Sequence, residues 1–467
     1  MPYLRKFWWV FIISIILVAV LSVPPVWSRV VYHSHEAYRT VKYWLKPPNE
    51  AVFIPSSNEA GLAPTSISTA SVDGLPTHQT TTEPTDIPYY SAPITATTPT
   101  RPDASPTPVV TELAFTPSPT LTSMPPSVLL RGISLAPQSM NNCGPATLAM
   151  YLSYYDVDKD QDTIAKVLKP NSKDVNVMPS ELADFVNANT SLKALWRYGG
   201  DLQTIKALIS AGFPVMIEKS FEPFDLRSEG WMGHYNLVVG FDDGKRSLTV
   251  QDSYLLSHTP WGLEIPKEMW DSFIGFDFSY NDLEQAWRSF NYVFIVVYPP
   301  EKENEVISLI GPLAEEEEAC RIAYNRASQE TSSLLDVRGK YFAWYNAGTS
   351  LVCLKNYGDA ATAYDAAFGI YPNINVESRP YRMLWYQTGP YLAYYNSERH
   401  QDTINLANQT LDYLADPVLE ESYYWRGLSY YALGDTTRAI KDLRNSLQYH
   451  PGFLPSISML KELGMEP

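Results

Sequence analysis

The chain has 467 residues and a formal net charge of -16, with 45% hydrophobic and 18% charged side chains. That length allows two or three domains, and the acidic balance argues against nucleic acid as a partner. The three cysteines, Cys143, Cys320 and Cys353, are too few and too scattered for a disulfide framework; Cys320 and Cys353 read as small buried residues in helical sequence.

Residues 1–6 are short and basic, with Arg5 and Lys6. From Phe7 to Trp27 no charge appears, and the run is long enough to span a bilayer as one helix. Trp8, Trp9 and Trp27 suit interfacial belts. A cleaved signal peptide is the rival reading, with Val26-Trp27-Ser28 as the site to consider; the lack of an obvious small-x-small site favours an uncleaved transmembrane anchor. Arg29, Arg39, Lys42 and Lys46 fall in a juxtamembrane segment, 28–50, and do not orient the span by charge. Orientation comes from residues 51–127, dominated by Thr, Pro and Ser as in Thr80-Thr81-Thr82-Glu83-Pro84. Such composition buries too little apolar surface to order itself and reads as an extracellular stalk. The expected localisation is a single-pass cell-membrane protein with extracytoplasmic soluble domains.

Globular sequence starts near Val128. Pro145 suits a first helical turn, and Leu148, Tyr151, Leu152 and Tyr155 recur at helical spacing. Cys143 therefore sits at or just before a helix N-terminus, where free N–H groups and the helix dipole stabilise a thiolate. Gln138, five residues earlier, is a neutral donor within reach of an oxyanion beside the sulfur. The aspartates of Asp156–Asp162 lack the Gly and Glu of a calcium loop and read as a solvated turn, with Asp162 capping the next helix. Helices follow over Pro179–Ala188 and Leu202–Ser210, the second capped by Asp201 and ended by Gly212. Strand patterns then take over at Pro214–Ile217, Tyr235–Phe241, Ser247–Gln251 and Val293–Tyr298, with Asp242-Asp243-Gly244-Lys245 as a hairpin turn. Helices first and antiparallel strands second predict an α+β domain over 128–300.

The hairpin makes a geometric prediction. Centred on Asp243, it places His234 opposite Asp252, at the 4.5–5.5 Å Cβ separation typical of facing strand residues. A two-residue Asp243-Gly244 loop would place His234 opposite Ser253 instead. Asp252 can then hold one ring nitrogen of His234 while the other faces Cys143, giving the parts for acyl transfer by a cysteine nucleophile. His258 is the spare base, and Asp242 and Asp243 are competing carboxylates. Zinc is disfavoured, because no second Cys or His lies at ligand spacing from Cys143. No cofactor is implied.

This constellation resembles the papain-like cysteine peptidases of the bacteriocin-processing type, the C39-like family. The likeness rests on Gln138, the Cys143-Gly144-Pro145 helix start, Gly233-His234 before an apolar strand, and Asp252 after the next, with the Trp261-Gly262 and Trp287 regions compatible. It implies Cys143 as nucleophile, His234 as base, Asp252 as orienting residue and Gln138 as oxyanion donor. Leader peptidases of that family are fused to export transporters, whereas this sequence shows no ATP-binding motif and no multi-span segment.

Residues 301–467 turn helical, with a helix beginning at Glu315–Glu318. Trp344, Gly348, Leu351, Ala360, Tyr364, Ala367 and Pro372 resemble a tetratricopeptide repeat in spacing, and Tyr423, Gly427, Tyr430, Ala439, Leu443, Ser446 and Pro451 repeat the offsets. A middle unit opens with Trp385, Gly389 and Leu392, but Gln401, Asn405 and Asn408 fall where apolar or small residues belong, so it reads as degenerate or as an insertion. The expectation is a membrane-anchored cysteine peptidase with a peptide or protein substrate and a helical repeat domain that takes a protein partner. The alternatives are a non-catalytic peptide-binding scaffold, and an amidase or amide-transfer enzyme on the same triad.

Overall fold

Apolar runs that stay buried on both sides organise the first folded unit, as in Phe294-Ile295-Val296-Val297-Tyr298, where every residue is buried. Such strands need cover on both faces of a sheet. The computed structural model describes residues 37–59, 124–222, 230–254 and 267–467. The expected span at 7–27 and the tract from 60 to 123 lie outside them; among the described residues, no helix is long and apolar enough to cross a membrane.

The sheet comprises β1 (Ser127–Leu129), β2 (Lys193–Arg197), β3 (Val215–Phe221), β4 (Met232–Asp242), β5 (Ser247–Gln251), β6 (Phe276–Ser279) and β7 (Phe294–Tyr298). Its order is β2-β7-β3-β4-β5-β6, all antiparallel, with β1 pairing the end of β4. Gly240 is required on β4, since a Cβ there would lie 2.7 Å from the Val128 carbonyl oxygen of β1. One face is covered by α1 (Cys143–Ser153), α2 (Gln161–Leu168) and α3 (Pro179–Asn189), whose Leu148, Met150, Leu182 and Val186 pack with Met216, Leu237 and Ile295. The other face carries α4 (Leu202–Ser210), α5 (Tyr280–Arg288) and α6 (Glu303–Ile310), with Leu208, Trp287 and Val306 over Ile217, Val250 and Phe294. Because α1 is buried from Gly144 to Leu152, it is a central helix and not a half-exposed one.

Several expectations need correction. The hairpin turn is the four-residue Asp243–Arg246, with Asp242 paired to Ser247 and a bulge between Val238 and Gly240. Leu237 therefore faces Gln251, and neither expected register holds. Asp160, not Asp162, caps α2, accepting from the Thr163 N–H at 2.7 Å. Strands β1, β2 and β6 and helix α5 were not anticipated.

The second unit is helical: α7 (Glu316–Ser333), α8 (Val337–Cys353), α9 (Tyr357–Ile370), α10 (Met383–Tyr386), α11 (Gly389–Asn396), α12 (His400–Tyr413), α13 (Glu420–Ala432), α14 (Thr436–Tyr449) and α15 (Leu454–Glu462). Gly348 lets α8 and α9 approach, since a Cβ there would meet the Tyr364 ring at 2.7 Å. The middle pair does form a helix at α12. Its inward face is set by Thr403, Ile404, Leu406 and Ala407, which leaves Gln401, Asn405 and Asn408 exposed. Cys320 is buried but Cys353 only half-buried, and they are not separate small residues: they form a disulfide joining α7 to α8.

The two units share an aromatic junction. Trp231, fully buried before β4, stacks on Phe290 at 5.7 Å and meets Phe342 of α8 and Tyr386 of α10 at 5.8 and 6.0 Å. Arg382 donates to the Trp231 carbonyl at 3.0 Å, and Gln387 to that of Ser289 at 2.9 Å. The Trp231→Ala variant is expected to lose about 3–5 kcal/mol in denaturant unfolding. Trp231→Phe, which keeps an apolar ring, should lose under about 1.5 kcal/mol.

Candidate active site

The site is built where the start of α1 meets β4. Thr147 Oγ1 donates to the Tyr235 carbonyl at 3.2 Å, and a Cβ at position 144 would lie 3.5 Å from the Tyr235 ring. This crossing sets Cys143, the first residue of α1, beside His234. The charge and hydrogen-bonding capacity of the His234 ring act on the Cys143 thiol and lower it. His234 Nε2 lies 2.6 Å from Asp252 Oδ1, which leaves Nδ1 as the ring nitrogen for the sulfur. Both His234 and Asp252 are buried. The same carboxylate oxygen accepts the Tyr254 N–H at 2.8 Å, and Phe221 stacks on the imidazole at 4.6 Å. Asp252 reaches His234 diagonally, two places out of register, and not from directly opposite.

Gln138 is tied to Ser253, the residue after Asp252. Its backbone N–H donates to the Ser253 carbonyl at 3.0 Å, and its side-chain oxygen accepts from Ser253 Oγ at 2.9 Å. The side-chain oxygen being engaged, its Nε2 donor is the end available to a substrate. Asp242 and Asp243 are occupied at the far end of the hairpin: Asp242 accepts from the Lys245 N–H, and Asp243 from Lys206 and Tyr280. His258, with Trp261 and Gly262, lies outside the described residues.

Opposing effects set the charges. Burial pushes the Cys143 thiol up. The hydrogen bond and charge of His234, the Tyr235 backbone and Lys169 outweigh it and hold the thiol below its usual range. Burial also pushes His234 down, but the charge and hydrogen bond of Asp252, with Cys143, raise it to about 9. Both shifts move the pair toward thiolate and imidazolium. Glu218, opposite Tyr235 on β3, is buried, and burial followed by the nearby Cys143 charge keeps its carboxyl well above the usual range. It is neutral there and adds no negative charge beneath the sulfur.

Sequence reasoning missed the residues that hold the Pro137–Asn142 turn. Gln161, read as part of a solvated turn, accepts from the Ser139 N–H at 2.8 Å and Asn142 Nδ2 at 3.0 Å, and donates to the Pro137 carbonyl at 2.8 Å. Lys169, buried, donates to the carbonyls of Asn141 and Asp174. Asn141 has φ 56°, a left-handed conformation that asparagine tolerates better than most residues. The signal for Lys169 was faint: one lysine before a proline at a helix end.

Residues 130–295 match the Peptidase_C39 like family, and residues 421–452 match the tetratricopeptide repeat. Among solved structures, the chain is similar to a C39-like peptidase from Bacillus anthracis, at 16% identity and a TM-score of 0.27, over 37% of this chain and 96% of that one. It is also similar to the peptidase domain of Streptococcus ComA, a bifunctional ABC transporter of a quorum-sensing pathway, at 15% identity and a TM-score of 0.26, over 36% and 98%. No curated protein matches. The α+β unit is C39-like and the C-terminal region is a helical array carrying a tetratricopeptide repeat.

Lys169→Met removes a positive charge near the sulfur and a tie on the turn. The pH midpoint for alkylation of Cys143 by iodoacetamide is expected to move up, with the alkaline plateau rate retained.

Proposed function

We propose that the chain is a membrane-anchored, extracytoplasmic cysteine peptidase. The observation that carries this is the hydrogen-bonded pair His234–Asp252 acting on Cys143, which stands at a helix start and whose thiol His234 holds below its usual range. The Cys143 thiolate attacks the scissile carbonyl carbon. The developing oxyanion is met by Gln138 Nε2 and by first-turn N–H groups of α1, which no helical carbonyl reaches. The His234 imidazolium then gives its proton to the leaving amine, and a thioester remains on Cys143. Water, deprotonated by His234, hydrolyses the thioester and restores the thiol. Asp252 keeps the imidazole oriented and stabilises its charged form. The chemistry needs no metal or cofactor.

The uncharged run at 7–27 and the Thr/Pro/Ser tract support the anchor and its outward orientation. The Cys320–Cys353 disulfide supports an oxidising compartment for the helical array. Peptides or proteins are the substrate class, and the repeat architecture favours a protein-binding role for the array.

Cys143→Ala should abolish labelling by a thiol-directed peptide probe; labelling that persists overturns the assignment. Gln138→Ala should lower kcat by about 10²–10³-fold with the thiol still reactive. The ion pair exists only while His234 keeps its proton, so kcat/KM should fall as pH rises through about 9. Asp252→Asn withdraws the charge that raises His234, and the alkaline limb of the pH–rate profile should move to lower pH.

A further inference from the structure

We propose that the helical array carries a binding site for an extended segment with an aromatic anchor and following serines, and that residues 48–57 of this chain occupy it as a non-covalent clasp. Residues 51–55 run extended, with Phe53 and Pro55 buried and Ile54 exposed between them. The Phe53 ring meets Phe368 of α9 edge-on at 5.0 Å and Tyr394 of α11 at 6.1 Å. Beside this apolar slot stand two buried carboxylates, Asp365 and Asp402, with Arg399 between them. The segment supplies further donors: the Ser56 N–H and Oγ reach Asp402 at 3.1 and 2.7 Å, and Ser57 Oγ reaches Asp365 at 2.5 Å. Arg379 donates to the Asn49 carbonyl at 3.0 Å, and Asn49 Nδ2 to the Val376 carbonyl at 3.1 Å. Just upstream, Lys46 pairs with Asp412 at 3.0 Å. A site with a ring slot, buried charges and backbone contacts is built for recognition, and a merely tethered linker requires none of these features.

The clasp changes what the following tract does. Residue 59 ends against the array, and the chain is next described at residue 124, just before β1 pairs with β4. Both ends of the tract are therefore fixed to one folded body, and cutting it leaves the N-terminal segment in place. The inference does not depend on catalysis or on the membrane anchor.

The test uses the full chain with an affinity tag followed by a specific protease site, both inserted between residues 80 and 110. After cleavage is complete on a gel, the tag is captured. Retention of the body from residue 124 onward is the expected result; its appearance in the flow-through overturns the proposal. In the same chain, Phe53→Asp should weaken retention by on the order of 50-fold, the loss of one buried aromatic ring. A Ser56→Ala/Ser57→Ala pair, which alters only the segment, should weaken it less. An excess of a synthetic peptide of residues 46–59 should release the body. Unchanged retention in Phe53→Asp, or no release by the peptide, also overturns the proposal.

Discussion

Everything at the candidate site depends on one crossing, the N-terminal turn of a fully buried helix pressed on the middle of a seven-stranded sheet. The Thr147–Tyr235 hydrogen bond, with no side chain at Gly144 to push the Tyr235 ring away, fixes where the helix starts relative to β4. From that follow the position of the sulfur, the side of the imidazole it meets, and the direction of the first-turn N–H groups. The helix can be buried on all sides because its sequence, Gly-Pro-Ala-Thr-Leu-Ala-Met-Tyr-Leu, carries no charge. The one strongly polar group near its far end, the Tyr151 hydroxyl, bonds the Val297 N–H at 2.8 Å and the Pro214 carbonyl.

How much of this is legible in the sequence varies with the physics. Long apolar runs declare themselves, so β4, β5 and β7 and the start of α1 are readable. Lys193-Ala-Leu-Trp-Arg197 hides because charged residues bound a strand that pairs on one side only, with β7. Phe276-Asp-Phe-Ser279 hides because it is a short edge strand of alternating pattern. Cys143, His234, Asp252 and Gln138 can be picked out, and the structure joins His234 to Asp252, but by a route the sequence conceals. The bulge near Val239 adds one residue to β4, and Gly240 was its only local trace. Diagonal contact then does what facing contact was expected to do. Gln161 and Lys169 were illegible because their work is to hold a turn, and holding a turn demands no particular pattern.

The helical array shows the same division. Gly348 and Gly427 mark close helix pairs and are readable from spacing; a Cβ on Gly427 would lie 3.2 Å from the Ala439 carbonyl oxygen. The phase of α12 was not, since a shift of one residue moves polar side chains from an expected inner face to solvent. The disulfide joins residues 33 apart, from near the start of α7 to the last residue of α8, points that an antiparallel helix pair brings side by side. Cysteine count alone could not reveal that.

Gly233, the residue before the imidazole, has a wider meaning. A Cβ there would strike Phe290 at 2.6 Å and the Tyr386 ring at 3.1 Å, one from each folded unit. The strand bearing His234 thus rests against a wall whose second half belongs to the array. The two units are not beads on a string. The array is a backstop for the strand that carries His234, so a C39-like unit cut away at residue 300 would expose an aromatic hollow directly behind that side chain.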